Sequence, residues 1–281
     1  MREVNASEIT DIVQQLCIEN NIYLDKDVKE KISEFAKKED SPIGKQILEQ
    51  ILINAKLAKE ENKPMCQDTG IAVIFIELGQ EVHIIKGNFF DAINEGVKRG
   101  YTRGYLRKSV VDDPVFDRKN TKDNTPAIIH TEIIPGDKIK ITVASKGAGS
   151  ENMSGIKMLK PADGINGIID FVIDCVKKSG GMPCPPIIVG VGVGGNFEQC
   201  AYISKKALLR PLNIKNPDEK LKAVEKEILT RINKLGIGPM GLGGRTTALA
   251  VQILTMPCHI ASLPVAVNLQ CHAHRHKTAI I

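Results

Sequence analysis

The sequence predicts an α+β fold: a helical N-terminal layer over residues 1–62, then a mixed β-sheet region with packed helices over 63–281, in a single domain. Three observations carry this expectation. Apolar residues recur at helical spacing through the N-terminal stretch. From Ile71 onward, short apolar runs bounded by Gly, Pro, Asn and Asp alternate with further helical stretches. A chain of 281 residues, 42% apolar and 25% charged, is long and apolar enough to bury a sizeable core without disulfides.

Ser7 is expected to cap a first helix with Ile9, Ile12, Val13 and Leu16 on one face. Val28, Ile32 and Phe35 mark a second helix after Asp25. Ser41-Pro42 reads as an N-cap followed by Pro in the first turn, with Ile43, Ile47, Leu48, Ile51 and Leu52 as the buried stripe of a third. Ile71–Leu78 is a strand, and Glu81–Lys86 is expected to pair with it. A helix follows over 88–101, then a polar loop over 108–126. Two strands flank the turn Pro135-Gly136-Asp137. A helix rich in Ile and Val is stopped at Gly180-Gly181. An apolar strand, Ile187–Val193, leads into helices over 197–210 and 217–235, and strands near 247–254 and 264–270 complete the pattern.

Composition excludes several classes of function. No run approaches the ~18 apolar residues of a membrane helix. The first residues carry charged and amide side chains where a secretory leader would be apolar, so a cytoplasmic protein is expected. Lys and Arg (38) exceed Asp and Glu (33) only slightly, Trp is absent and aromatics are 4%, which argues against a nucleic-acid surface and is compatible with a small anionic substrate. Seven cysteines fit a reducing compartment rather than a disulfide framework.

Those cysteines sort by surroundings. Cys17, Cys175, Cys200 and Cys258 fall in or beside apolar elements and read as small core hydrophobes. Cys66, Cys184 and Cys271 fall in turns or at strand ends among polar or proline neighbours, where a thiolate can face a cavity. Three thiolates on a [4Fe–4S] cluster would leave one iron without a protein ligand, open as a Lewis acid. The three lie far apart along the chain and match no local ligand spacing, so the pattern alone leaves this open. Gly190-Val-Gly-Val-Gly-Gly195 fits G-x-G-x-x-G, but no second strand ending in an acidic residue follows, so a tight strand-to-helix turn competes with a dinucleotide site. Lys146-Gly-Ala-Gly-Ser-Glu-Asn152 and Gly236–Gly244, followed by Arg245-Thr246-Thr247, could offer free N–H groups to a carboxylate or be surface turns. In His272-Ala-His-Arg-His276 the histidines would share one face of a strand, as zinc ligands or as an exposed edge.

The string Pro64-Met-Cys-Gln-Asp-Thr-Gly70 resembles the N-terminal signature of the class I, iron–sulfur-dependent fumarate hydratases. Tyr105-Leu-Arg-Lys-Ser-Val110, Asn124-Thr-Pro-Ala127, Lys146–Glu151 and Cys184-Pro-Pro resemble further blocks of that family in the same order. Gly236–Gly244 and Ala261–Asn268, with Cys271 just beyond, do the same. The likeness runs from about residue 7 to the end, and L-tartrate dehydratase α subunits are similar. The resemblance implies that Cys66, Cys184 and Cys271 bind a [4Fe–4S] cluster and that Gln67, Asp68, Arg107 and Gly149 contact substrate, with Arg103 as the fallback for Arg107. It makes Asp68 the catalytic candidate of this chain. It also implies that the base and further cationic contacts come from a β subunit, so that the working enzyme is a hetero-oligomer hydrating fumarate to malate. Tartrate or another hydroxy diacid is the alternative substrate. A dinucleotide-binding oxidoreductase and a non-catalytic cluster carrier are the alternatives of other classes.

Overall fold

The helices and most strands form where apolar periodicity predicts them; three short strands and the pairing of the strands are where the fold departs from expectation. The computed structural model describes residues 1–281. A strand, β1 (Arg2–Asn5), precedes the helices α1 (Ala6–Ile22), α2 (Lys26–Lys38) and α3 (Pro42–Glu60). Asn5 rather than Ser7 therefore occupies the cap position of α1. At α3 the expected cap is present, the Ser41 hydroxyl accepting the Gly44 N–H at 3.1 Å. Strands β2 (Ile71–Gly79) and β3 (Val82–Ile85) lead to α4 (Phe89–Arg103), whose first turn is closed by the Asn88 side chain. Then come β4 (Ile128–Ile134), β5 (Ile139–Lys146), the short α5 (Ala148–Glu151), β6 (Gly155–Leu159) and α6 (Gly164–Ser179). The chain ends with β7 (Ile187–Gly195), α7 (Phe197–Ala207), α8 (Glu219–Asn233), β8 (Ala248–Cys258), β9 (Leu263–Gln270) and β10 (His276–Ile280). No helix is long and apolar enough to cross a membrane.

The chain divides into two compact units, each built from separate stretches. The first comprises Met1–Leu24, Ala55–Gly147 and Arg275–Ile281. Its main sheet has the order β10-β5-β2-β4, and β1 with β3 makes a small parallel pair. Two hairpins expected from sequence are thus not formed. β3 leaves β2 to pair with β1, and β2 inserts between β4 and β5. The reason lies in the turns: Gly79, Gln80 and Glu81 donate their N–H groups to the carbonyls of Lys138, Ile134 and Gly136, so the two turns satisfy each other. Helices α1 and α4 cover one face of the sheet. Ile9, Val13 and Leu16 meet Ile93 and Val97, and both sets pack on Ile74, Ile76, Ile141 and Val143. Gly96 and Gly100 allow this approach, since a Cβ on either would stand 2.7 Å from atoms of α1.

The second unit comprises Asp25–Asn54 and Ala148–His274. Its sheet has the order β6-β9-β7-β8, with β7 antiparallel to β9 and parallel to β8. Helices α6 and α8 bury Ile168, Val172, Val176, Ile228 and Ile232 against Val189, Val191, Val251 and Val267. The opposite face of β7 carries Gly190 and Gly192, and α7 lies directly on them. A Cβ at either would stand 2.1 Å from a helix carbonyl, that of Ser204 or Cys200.

Glu39, between α2 and α3, is 1% exposed and joins this unit's N-terminal helices to its glycine loop. Its carboxylate accepts N–H bonds from Asp40, Ser41, Arg245 and Thr246 at 2.7–3.1 Å. The carboxylate that the backbone beyond Gly236–Gly244 binds is therefore the protein's own. Burial alone would raise the Glu39 pKa. The Thr246 hydroxyl and the N–H groups of Arg245, Ser41 and Thr246 outweigh it and hold the group below the ordinary glutamate range. A lowered folded-state pKa adds stability above the unfolded value and loses it as pH falls. Glu39→Gln is expected to cost roughly 3 kcal/mol at pH 7, because the bonds to the remaining amide oxygen become neutral while the Thr246 N–H, now on Oε2, would face an NH2 group that cannot accept. In denaturant titrations the gap between wild type and variant should shrink as pH falls below the ordinary glutamate range, where the unfolded chain takes up a proton that the folded carboxylate still resists. A pH-independent gap would count against this reading.

Candidate functional site

The Cys66–Gly70 turn joins α3 to β2 in the first unit, and its backbone is held from beneath by buried polar side chains. Arg275 Nη1 donates to the Asp68 carbonyl at 2.6 Å. The Tyr101 hydroxyl lies 3.0 Å from the Thr69 carbonyl and 2.9 Å from that of Gly70. Asn124 Nδ2 donates to the Gly70 carbonyl at 3.2 Å. Three consecutive carbonyls are thereby engaged by residues from three distant segments. Burial pushes the Tyr101 hydroxyl pKa well up, which keeps it protonated as a donor. Below the turn, Asn21 and Ser145 share hydrogen bonds with Asn20, and Asn21 Oδ1 accepts from Arg275.

This scaffold fixes how the predicted side chains are presented. Asp68 Oδ1 accepts the Gly70 N–H at 2.9 Å, which sets the plane of the carboxylate. Gln67 is exposed, while Cys66 and Asp68 are half-buried. The Thr69 hydroxyl donates to the Arg107 carbonyl at 3.0 Å, so the Arg107 segment adjoins the turn while its guanidinium stays exposed. Arg103, the fallback arginine, turns instead to Gln14 on α1. A Cβ on Gly147 would stand 3.0 Å from Asp68 Oδ2, so this glycine closes one side of the carboxylate.

The second unit gathers Gly149, Cys184 and Cys271. Cys184 sits in a tight turn with φ 54°, its N–H donating to the Gly181 carbonyl. His272 reaches the Cys184 carbonyl with its backbone N–H at 3.5 Å and with Nδ1 at 2.9 Å, which makes Nδ1 the protonated ring nitrogen. That contact binds the residue after Cys271 to the Cys184 turn. Gly149 approaches the same turn, a Cβ there falling 3.3 Å from the Met182 carbonyl. Behind it, Glu151 pairs with Lys205 and accepts from Asn268 Nδ2 at 3.0 Å, tying α5 to the strand that delivers Cys271.

The remaining cysteines are set apart by position and chemistry. Burial pushes the Cys17 thiol up to about 12 and the Cys175 thiol up to about 11, and raises that of Cys200. Such thiols resist forming the thiolate that binds metal. Cys258 departs from expectation. It is exposed, at the end of β8 where the strand runs past its covering layer.

Three other expectations are corrected. The whole G-x-G-x-x-G motif lies inside strand β7 instead of in a turn, and Gly190 and Gly192 serve the packing of α7. Lys146 is the buried last residue of β5, paired with Ile71, and not part of a surface loop. The histidines do not share a strand face. Only His276 lies in β10, His274 is 3% exposed, and no three His, Cys, Asp or Glu side chains stand where one metal ion could bind them all. Cubane thiolates each bind a different iron, so a cluster does not require that convergence.

Sequence reasoning missed Asn20, Asn21 and Tyr101; it placed Asn124 in a family block and Arg275 beside Cys271, but gave neither a part in holding the Cys66–Gly70 turn. A signal existed for the first two: they continue the buried stripe of α1 after Val13, Leu16 and Cys17, where a polar side chain must find a buried partner.

Comparison with known proteins points to one family. The family model described as fumarate hydratase (fumerase) matches residues 10–280. A protein of Methanocaldococcus jannaschii named "Putative L(+)-tartrate dehydratase subunit alpha" is 45% identical over 276 residues, 95% of each chain. The L(+)-tartrate dehydratase subunit alpha of Escherichia coli O157:H7 is 31% identical, over 98% of this chain and 91% of its own. The same identity and coverage hold for the subunit of that name in Shigella sonnei. With a match across nearly its whole length, the chain belongs to the fumarate hydratase (fumerase) family.

Proposed function

We propose that this chain is the α subunit of a hydro-lyase that interconverts fumarate and malate, with a [4Fe–4S] cluster held by Cys66, Cys184 and Cys271 and with a β-type partner chain. The observation that carries the reading is the His272 contact, which brings the backbones bearing Cys184 and Cys271 together. All three thiols are half-buried and loop-borne, which suits a group that must meet both protein and substrate. Seven free thiols suit a reducing cytoplasm.

When bound through three thiolates, such a cluster supplies an open Lewis-acidic iron for a substrate hydroxyl and its neighbouring carboxylate. The chain's own residues supply recognition. The exposed Arg107 guanidinium offers a planar fork to a carboxylate. The Gln67 amide and the Gly149 N–H offer neutral donors, which favour a carboxylate gaining charge as the adjacent C–H is deprotonated. Asp68, oriented by Gly70, holds or passes a proton at its carboxylate. The base that takes the carbon-bound proton is assigned to the β-type partner.

A second reading, a dehydratase of L-tartrate, is supported by the names of the relatives. One experiment tests both. The chain is co-expressed with its β-type partner, purified anaerobically, analysed for iron and sulfide, and given malate, fumarate and both tartrate enantiomers. About four irons and four sulfides per chain are expected, with turnover of malate and fumarate. Turnover confined to tartrate selects the second reading, and a reconstituted protein without iron removes the cluster.

A further inference from the structure

We propose that Arg275 is a positioning residue of the candidate site, acting on substrate through the Cys66–Gly70 turn; this rests on the hydro-lyase reading above. Arg275 is 3% exposed, and its Nη1 donates to the Asp68 carbonyl at 2.6 Å and to Asn21 Oδ1 at 3.1 Å. Both acceptors are neutral, and the buried Nε has no acceptor within hydrogen-bond distance. Burying a guanidinium against neutral oxygens with a donor left over is costly, and an apolar side chain of similar volume would serve packing better. The charge instead obtains a grip on the main chain between Asp68 and Thr69. A charge-assisted bond there fixes the peptide plane, and with it the directions in which the Gln67 and Asp68 side chains project.

Two further observations bear on this. A Cβ on Gly147 would stand 3.0 Å from Asp68 Oδ2 and 3.5 Å from Arg275 Nη2, so the carboxylate and the guanidinium flank the same glycine. The Arg275 carbonyl accepts the Ser145 N–H at 3.2 Å, and β10 directly after it is paired along β5. The guanidinium is therefore carried by backbone that is hydrogen-bonded to β5 immediately before β10 begins.

The test compares wild type with Arg275→Met and Arg275→Lys in the full chain, reconstituted anaerobically with its β-type partner. In Arg275→Met, KM for the hydroxy diacid is expected to rise about tenfold and kcat/KM to fall about 100-fold, the scale of a misplaced contact. Lysine should recover part of the loss, since one ammonium N–H can reach the Asp68 carbonyl. Hydrogen exchange at residues 66–70 should quicken while α4 and β5 keep wild-type protection. A merely structural role would lower the active fraction, giving reduced kcat with unchanged KM and faster exchange throughout. That pattern, or wild-type kinetics in Arg275→Met, overturns the proposal. Should the methionine variant not fold, the lysine variant carries the same comparison at smaller amplitude. If the wild-type complex turns over no hydroxy diacid, the hydro-lyase reading has failed, and the exchange data alone decide whether Arg275 holds the turn.

Discussion

Replacing Cys66, Cys184 or Cys271 by serine is expected to lower hydro-lyase turnover of the reconstituted complex roughly 1,000-fold or more, equivalent to about 4 kcal/mol of transition-state stabilisation. Each substitution removes one of the three thiolates proposed to hold the cluster and replaces it with a hydroxyl that ionises far less readily. Cys17→Ala and Cys175→Ala should behave differently. Their thiols are raised by burial, Cys17 packs in the core of α1 and α4, and the Cys175 sulfur lies against the Gly155 position. These two variants should keep wild-type iron content and lose about 1 kcal/mol of stability. Iron and sulfide per chain, visible absorbance and denaturant midpoints measure the contrast. Equal loss of iron from both groups would show that the cysteines have been sorted wrongly.

Gly190→Ala is expected to destabilise the second unit by about 3 kcal/mol or more, at the upper end of overpacking costs. The new methyl carbon would stand 2.1 Å from the Ser204 carbonyl oxygen and 2.8 Å from a Leu208 side-chain carbon. A side chain could rotate away, whereas the carbonyl belongs to the backbone of α7, so the helix itself must lift from β7. Gly192→Ala meets the same obstacle at Cys200. Thermal or urea unfolding of the two variants gives the measurement. The same geometry predicts no saturable NADH binding by the wild-type chain, because the glycines of a dinucleotide fingerprint must line a loop open to pyrophosphate. Wild-type stability in Gly190→Ala together with tight NADH binding would restore the oxidoreductase reading.

Much of the fold was legible because it is local. Helical periodicity located α1, α2, α3, α4, α6, α7 and α8, and Ser41-Pro42 marked the start of α3 through side-chain and backbone chemistry within a few residues, whereas the caps Asn88 and Asp218 came from the structure. The short strands β1, β6 and β10 escaped, since four or five residues carry too little pattern to separate a strand from a loop. Strand pairing escaped for a different reason. Whether β4 meets β5 or β2 depends on which turns can satisfy each other's N–H groups, and those turns are far apart in sequence.

The candidate site divides along the same line. Cys66, Gln67, Asp68, Arg107, Gly149, Cys184 and Cys271 could be named from the chain because residue type and ordered blocks are properties of sequence. So could membership of the fumerase family. Only the tertiary structure decided that Cys258 is exposed, that the glycines of β7 make room for a helix, and that the backbone after the Gly236–Gly244 loop binds Glu39. Only it drew Asn21, Tyr101, Asn124 and Arg275 beneath one turn. The physical reason is that a buried polar group must find its partner wherever folding brings one, and sequence separation places no limit on where that is.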